Sequence, residues 1–136
     1  MKQVPLDLVL YLLENIPEEL GFKNEPMFVL SDRAIKSLEH LLDLPFTEYD
    51  GVPRYPSLVE KAAALFYYTI KGHKFENGNK RTAVILVSAL LYSNNKWVSL
   101  TPKDMYDWTV SVAESNPGNR AGTLKKLTEI FGEHIH

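Results

Sequence analysis

Residues 73–81 read HKFENGNKR, which puts a histidine, two asparagines, a glycine, a lysine and an arginine within nine positions. Imidazole exchanges a proton near neutral pH, so His73 suits a general base that takes the proton of an incoming hydroxyl. Lys80 and Arg81 can make charge-assisted hydrogen bonds to phosphate oxygens. Gly78 allows positive φ and close approach of the backbone to a ligand. If a helix begins near Lys80, its first N–H groups lack partners within the helix and its dipole adds partial positive charge. Two cations in that first turn oppose the dipole unless an anion joins them, and a phosphate fits. Taken singly, each of these side chains is an ordinary solvated group; the reading rests on their combination.

Such a loop is useful only if both of its ends are fixed. On its N-terminal side, SLVEKAAALFYYTIK opens with Ser57 and Glu60 in capping-box spacing and closes at Gly72, which predicts a nearly buried helix. On its other side, RTAVILVSALLYSNN is apolar around most of its circumference and predicts a second central helix. Phe75 is expected to be buried and to anchor the loop between them.

Further helices are predicted from Leu6, Val9, Leu10, Leu12 and Leu13 at helical spacing, with Pro5 in the first turn and Pro17 as a stop. The stretch from Gly21 to Leu30 reads as a connection. Ser31 then caps a helix with Ile35, Leu38, Leu41 and Leu42 on one face, while His40 is an ordinary surface or half-buried side chain. LPFTEYDGVPRYP, with three prolines and an Asp-Gly pair, predicts a turn or short hairpin able to act as a flap. KWVSL is a short β-prone run. Thr101, Pro102 and Asp104 start a fifth helix, and Leu124, Leu127, Ile130 and Phe131 stripe a sixth. His134 and His136 are expected to fray at the chain end, with no third ligand to make a metal site. The fold class is mainly α, a compact helical bundle with a small β-hairpin flap, in one domain over residues 1–136.

Composition narrows the function classes. A chain of 136 residues with 45% hydrophobic and 24% charged residues is a single ordinary globular domain. The net charge of −2 gives no overall field for nucleic acid or an anionic membrane, so any anion site is local. Without a basic stripe, Trp97 and Trp108 read as packing rather than a base-stacking platform. There is no cysteine, which removes disulfides and thiol catalysis and fits a reducing compartment. The N-terminal stretch meets acidic residues too early to span a membrane and has no cleavage signal, so a cytoplasmic protein is expected.

The loop and its flanks resemble the Fic/Doc family, whose signature is His-x-Phe-x-acid-(Gly or Ala)-Asn-(Gly or Lys)-Arg between two central helices. Here His73, Phe75, Asn77, Gly78, Asn79, Lys80 and Arg81 carry it, and YPSLVEKAAAL and RTAVILVSALL look like the Doc, or death-on-curing, branch. Fic enzymes with Gly-Asn-Gly-Arg-x-x-Arg transfer a nucleotide, usually AMP. The Doc branch has Asn-Lys-Arg, lacks the second arginine and transfers a terminal phosphate. Lys80, and Val84 where that arginine would stand, side with Doc.

The resemblance implies that His73 deprotonates a Ser or Thr hydroxyl on a target protein such as an elongation factor. Asn77, Gly78, Asn79, Lys80 and Arg81 would bind ATP or another nucleoside triphosphate, with His73, Lys80 and Arg81 carrying the transfer. The flap would dock the target segment. It also implies a toxin that arrests growth, held in check by a small antitoxin partner. The family's acidic magnesium ligand falls at position 77, where this chain has Asn77; an amide oxygen can ligate Mg2+ but without the charge of a carboxylate, so weak metal binding is expected. Two other readings follow: an adenylyltransferase, or a non-catalytic binding module in which position 77 has cost the activity.

Overall fold

The computed structural model describes residues 1–15 and 28–136. Pro17 and the predicted connection as far as residue 27 lie outside them. Six α-helices occur among the described residues: α1 (Leu6–Glu14), α2 (Asp32–Asp43), α3 (Leu58–Lys71), α4 (Asn79–Ser93), α5 (Pro102–Glu114) and α6 (Arg120–His134). A two-strand antiparallel hairpin, β1 (Glu48–Tyr49) and β2 (Val52–Pro53), lies between α2 and α3. The fold is mainly helical with a small hairpin, as the sequence predicts.

Local chemistry explains the boundaries. Ser31 and Ser57 cap α2 and α3 by accepting from the backbone N–H of Ala34 and Glu60. At α5, Thr101 and Asp104 form a reciprocal capping box. The same spacing at Ser57 and Glu60 works differently: the Ser57 hydroxyl donates to the Glu60 carboxylate at 2.8 Å instead of the carboxylate reaching back to the Ser57 N–H. Asp50 and Gly51 turn the hairpin at φ of 51° and 78°, the pair of positive angles that a tight two-residue hairpin turn requires.

The helices α3 and α4 form the centre. α3 packs most extensively on α4 and then on α6, while α4 is flanked by α1 and α5. The core includes Phe66, Leu65, Ile70, Leu86, Leu90 and Leu127, all under 2% exposed. Each such side chain contributes about 1.5–3 kcal/mol through its removal from water. Phe66 and Phe131 meet edge to face, with ring centroids 5.4 Å apart, and this ties α6 to α3.

His134 and His136 are not frayed. The backbone of Trp97 exchanges two hydrogen bonds with His136, and Ser99 N–H donates to the His134 carbonyl at 2.8 Å. The β-prone run after α4 has thus found its partner in the end of the chain, with Val98 opposite Ile135. The Ser99 hydroxyl lies 3.0 Å from His134 Nδ1 and 3.3 Å from His136 Nε2.

Candidate active site

His73 is exposed and follows the last turn of α3, whose end is anchored. Two residues earlier, the Lys71 ammonium donates to the Ala113 carbonyl at 3.2 Å and also to the Ser115 carbonyl, which fixes the end of α3 against the end of α5. Gly72 is the C-cap, and its right-handed conformation leaves the change of direction to His73, at φ 44°. A Cβ on Gly72 would lie 2.6 Å from the Tyr68 carbonyl oxygen, so glycine is needed there for clearance. Histidine tolerates the left-handed region better than most side chains, and departures of this kind cluster at functional sites.

The loop is closed by Asn79 and Phe75. Asn79 Oδ1 accepts from the Phe75 N–H at 3.3 Å, and its Nδ2 donates to the Phe75 carbonyl at 2.9 Å. One carboxamide thereby holds both polar groups of a single backbone residue. The Phe75 ring is buried, as expected, and stacks on Phe28 with centroids 4.1 Å apart. Asn77 and Glu76 are exposed, so neither is committed to the core.

The start of α4 has the features of an anion site. Gly78 is its N-cap at φ 77°, with no side chain to satisfy the first N–H groups, and the first turn contains no acid. Lys80 is half-buried, and Arg81 is 6% exposed. Thr82 closes the turn by donating its hydroxyl to the Gly78 carbonyl at 2.7 Å. Uncapped donors, a partial positive charge and two cations in one turn fit a phosphate group. The Asn79 carboxamide keeps its second Nδ2 hydrogen for such an anion, because Phe75 uses only one.

A cleft of about 400 Å³ opens beside His73, bordered by Phe75 and Glu76 of the loop and by Phe28, Ser31 and Arg33 at the start of α2. Asn77, Gly78, Asn79, Lys80 and Arg81 do not border it. The segment entering α2 reads in the sequence as a plain connection and helix start, and nothing in its periodicity marks it as a neighbour of His73. A larger apolar groove of about 560 Å³ runs between α1, the end of α4 and Trp97, but it has no histidine or carboxylate and lies away from this chemistry.

For magnesium the fit is partial. Among the described residues no three His, Cys, Asp or Glu side chains converge. Asn77 would offer one neutral oxygen, which suits an ion held mainly by substrate phosphates and water.

The flap is anchored to α3. Lys61, 4% exposed, donates from its ammonium to the Pro45 carbonyl at 3.1 Å and to the Tyr55 carbonyl. The role of Lys61 is not predicted by the sequence motifs. The available signal was that Lys61 shares a helical face with Leu65 and Tyr68 inside an otherwise apolar run. Burial, and secondarily the neighbouring Tyr68, hold the Tyr55 phenol above its ordinary range, so it is neutral at the flap base.

A family model described as the Fic/DOC family matches residues 4–91. No curated protein and no solved structure gives a significant match.

Proposed function

The chain belongs to the Fic/DOC family, and from that premise we propose that it is a phosphotransferase of the Doc type that acts on Ser or Thr hydroxyls of a target protein. Domains of this family transfer nucleotide-derived groups to proteins. The observation that carries the finer reading is the first turn of α4. Lys80 and Arg81 supply two cations there, and position 84, where a nucleotidyl-transferring relative would place another, is Val84 at 2% exposure in the core. The cationic charge is therefore confined to this first turn, which suits a terminal phosphate rather than a second phosphate further along the helix.

In this reading a nucleoside triphosphate is the donor substrate. His73 accepts the proton of the target hydroxyl as its oxygen forms the new bond to the terminal phosphorus. The bond from that phosphorus to the bridging oxygen breaks, and the nucleoside diphosphate leaves with the electron pair. The uncapped N–H groups of α4, with Lys80 and Arg81, hold the phosphate oxygens whose charge shifts during transfer. Magnesium would neutralise phosphate charge when bound, with Asn77 as its protein ligand. Asn79 keeps the base and the anion-binding turn in fixed relation.

We extend the same reading, on the motif alone, to a growth-arresting toxin with a small antitoxin partner and a translation factor as target. On the same ground it would act in the cytoplasm; as a separate fact, no described helix is long and apolar enough to cross a membrane.

The test is the position of the label. Incubated with cell extract and ATP carrying isotope at the γ position, the protein is expected to label a protein band in a His73-dependent way. Transfer of α label, or no His73-dependent label at all, overturns the proposal.

Position 77 gives a second expectation. Asn77→Asp restores a charged oxygen ligand, and the Mg2+ concentration for half-maximal transfer should fall roughly tenfold, ~1.4 kcal/mol. An unchanged magnesium titration would remove residue 77 from the metal site.

A further inference from the structure

The flap is too small to orient itself. Its strands are two residues each, Pro53 has no N–H to give to the ladder, and all four strand residues are exposed. An isolated two-stranded hairpin is marginal in water even when longer than this. Yet Tyr49 and Val52, 79% and 64% exposed, are held out together beside the hairpin turn. Something outside the hairpin must fix its direction.

We infer that Lys61 is a positioning residue: its buried ammonium ties the two legs of the flap together on α3 and so sets where a docked target segment lies relative to His73. The inference rests on the proposed role of the flap as the docking element.

Three observations lead to it. First, the two carbonyls that Lys61 reaches stand on either side of the hairpin. Pro45 lies in the helical turn Leu44–Phe46 before β1, and Tyr55 follows β2. Above them the Arg54 N–H donates to the Thr47 carbonyl at 3.0 Å, and the paired residues Glu48 with Pro53 and Tyr49 with Val52 complete the flap. The ammonium is therefore its lowest rung.

Second, the geometry uses what is particular to lysine. An ammonium has three donors on one atom, and two go to the two carbonyls. The charge also lies 5.0 Å from the centre of the Phe46 ring, which belongs to the incoming leg. Among the described residues no carboxylate pairs with it; the ion pair found there is Lys103 with Asp107. A desolvated ammonium without a counter-ion costs more to bury than an apolar side chain of the same shape. Space-filling alone would be served as well by methionine.

Third, the staple and the base share one rod. Lys61 is on the second turn of α3, and ten residues further, about 15 Å of helix, Lys71 docks the other end immediately before His73. Flap and imidazole are thus referred to the same rigid element.

The experiment compares Lys61→Met, which keeps the stem and removes the donors, with Lys61→Arg, which restores a cationic donor. In Lys61→Met, hydrogen exchange at the Arg54 amide should accelerate about tenfold or more while the amides of α4 keep their protection. With the labelled target of the wild-type reaction, KM for the protein should rise about tenfold, with kcat and the nucleotide KM unchanged. Lys61→Arg should recover flap protection at least in part. Unaltered flap exchange in the folded Met variant overturns the inference. So does failure of that variant to fold, since a tie confined to the flap is not needed by the core. Loosening of the flap without any phosphate transfer by the wild-type protein leaves the staple standing and sinks the proposed activity instead.

Discussion

Replacing His73 with alanine should lower phosphoryl transfer about 10²- to 10⁴-fold, the usual contribution of a positioned general base. Nucleotide affinity should be unchanged, because the proposed anion-binding groups belong to the other end of the loop. Alanine also alters the backbone preference at φ 44°, so a second variant separates chemistry from conformation. Asparagine accepts the left-handed region and cannot act as a base near neutral pH. Equal loss in His73→Ala and His73→Asn, with both proteins folded by circular dichroism, identifies the imidazole as the active group. Retained transfer in the asparagine variant would mean that His73 serves the chain's path and not the proton.

Asn79→Ala should be nearly as damaging, for a different reason. It removes both bonds that hold Phe75 N–H and C=O, at 3.3 Å and 2.9 Å. Each such bond is worth about 0.5–1.5 kcal/mol net. The larger consequence is positional, since a shift of about 1 Å between reacting groups can cost roughly 10²-fold in rate. Exchange of the Phe75 amide should accelerate in parallel, and that readout needs no substrate. Melting should change little, because Phe75 remains stacked on Phe28 and α4 is anchored by ten buried residues. If transfer falls while the Phe75 amide stays protected, Asn79 acts through its own contact with the phosphate and not through the loop.

These two variants mark a difference in what the sequence could convey. The proposed role of His73 as a base is suggested by the sequence alone, because proton exchange near neutral pH is a property of the residue type. The place of Asn79 in the motif predicts a phosphate ligand, and that role is compatible with its spare amide hydrogen. Its second task, gripping a backbone residue four positions earlier, depends on how the loop bends back, which no spacing rule specifies. Position 77 is the reverse case: the departure from a carboxylate is visible in the sequence alone, and its exposed placement adds only that the side chain is unhindered.

The sequence by itself determined the six described helices, the N-caps at Ser31, Ser57 and Thr101 and the Asp-Gly hairpin, together with the single loop on which the proposed chemistry rests. All of these are encoded within one or two helical turns, through apolar periodicity, side-chain acceptors for orphaned N–H groups and residues that tolerate positive φ. Only the tertiary structure decided that Lys61 closes the flap by reaching residues 45 and 55, that Phe28 stacks on Phe75, and that Trp97 to Ser99 pair with the end of the chain. Those contacts join residues 6 to 47 positions apart. What makes them favourable is the packing that first brings the segments together, because a lysine or a β-prone run has no local partner to reveal which distant carbonyls it will satisfy.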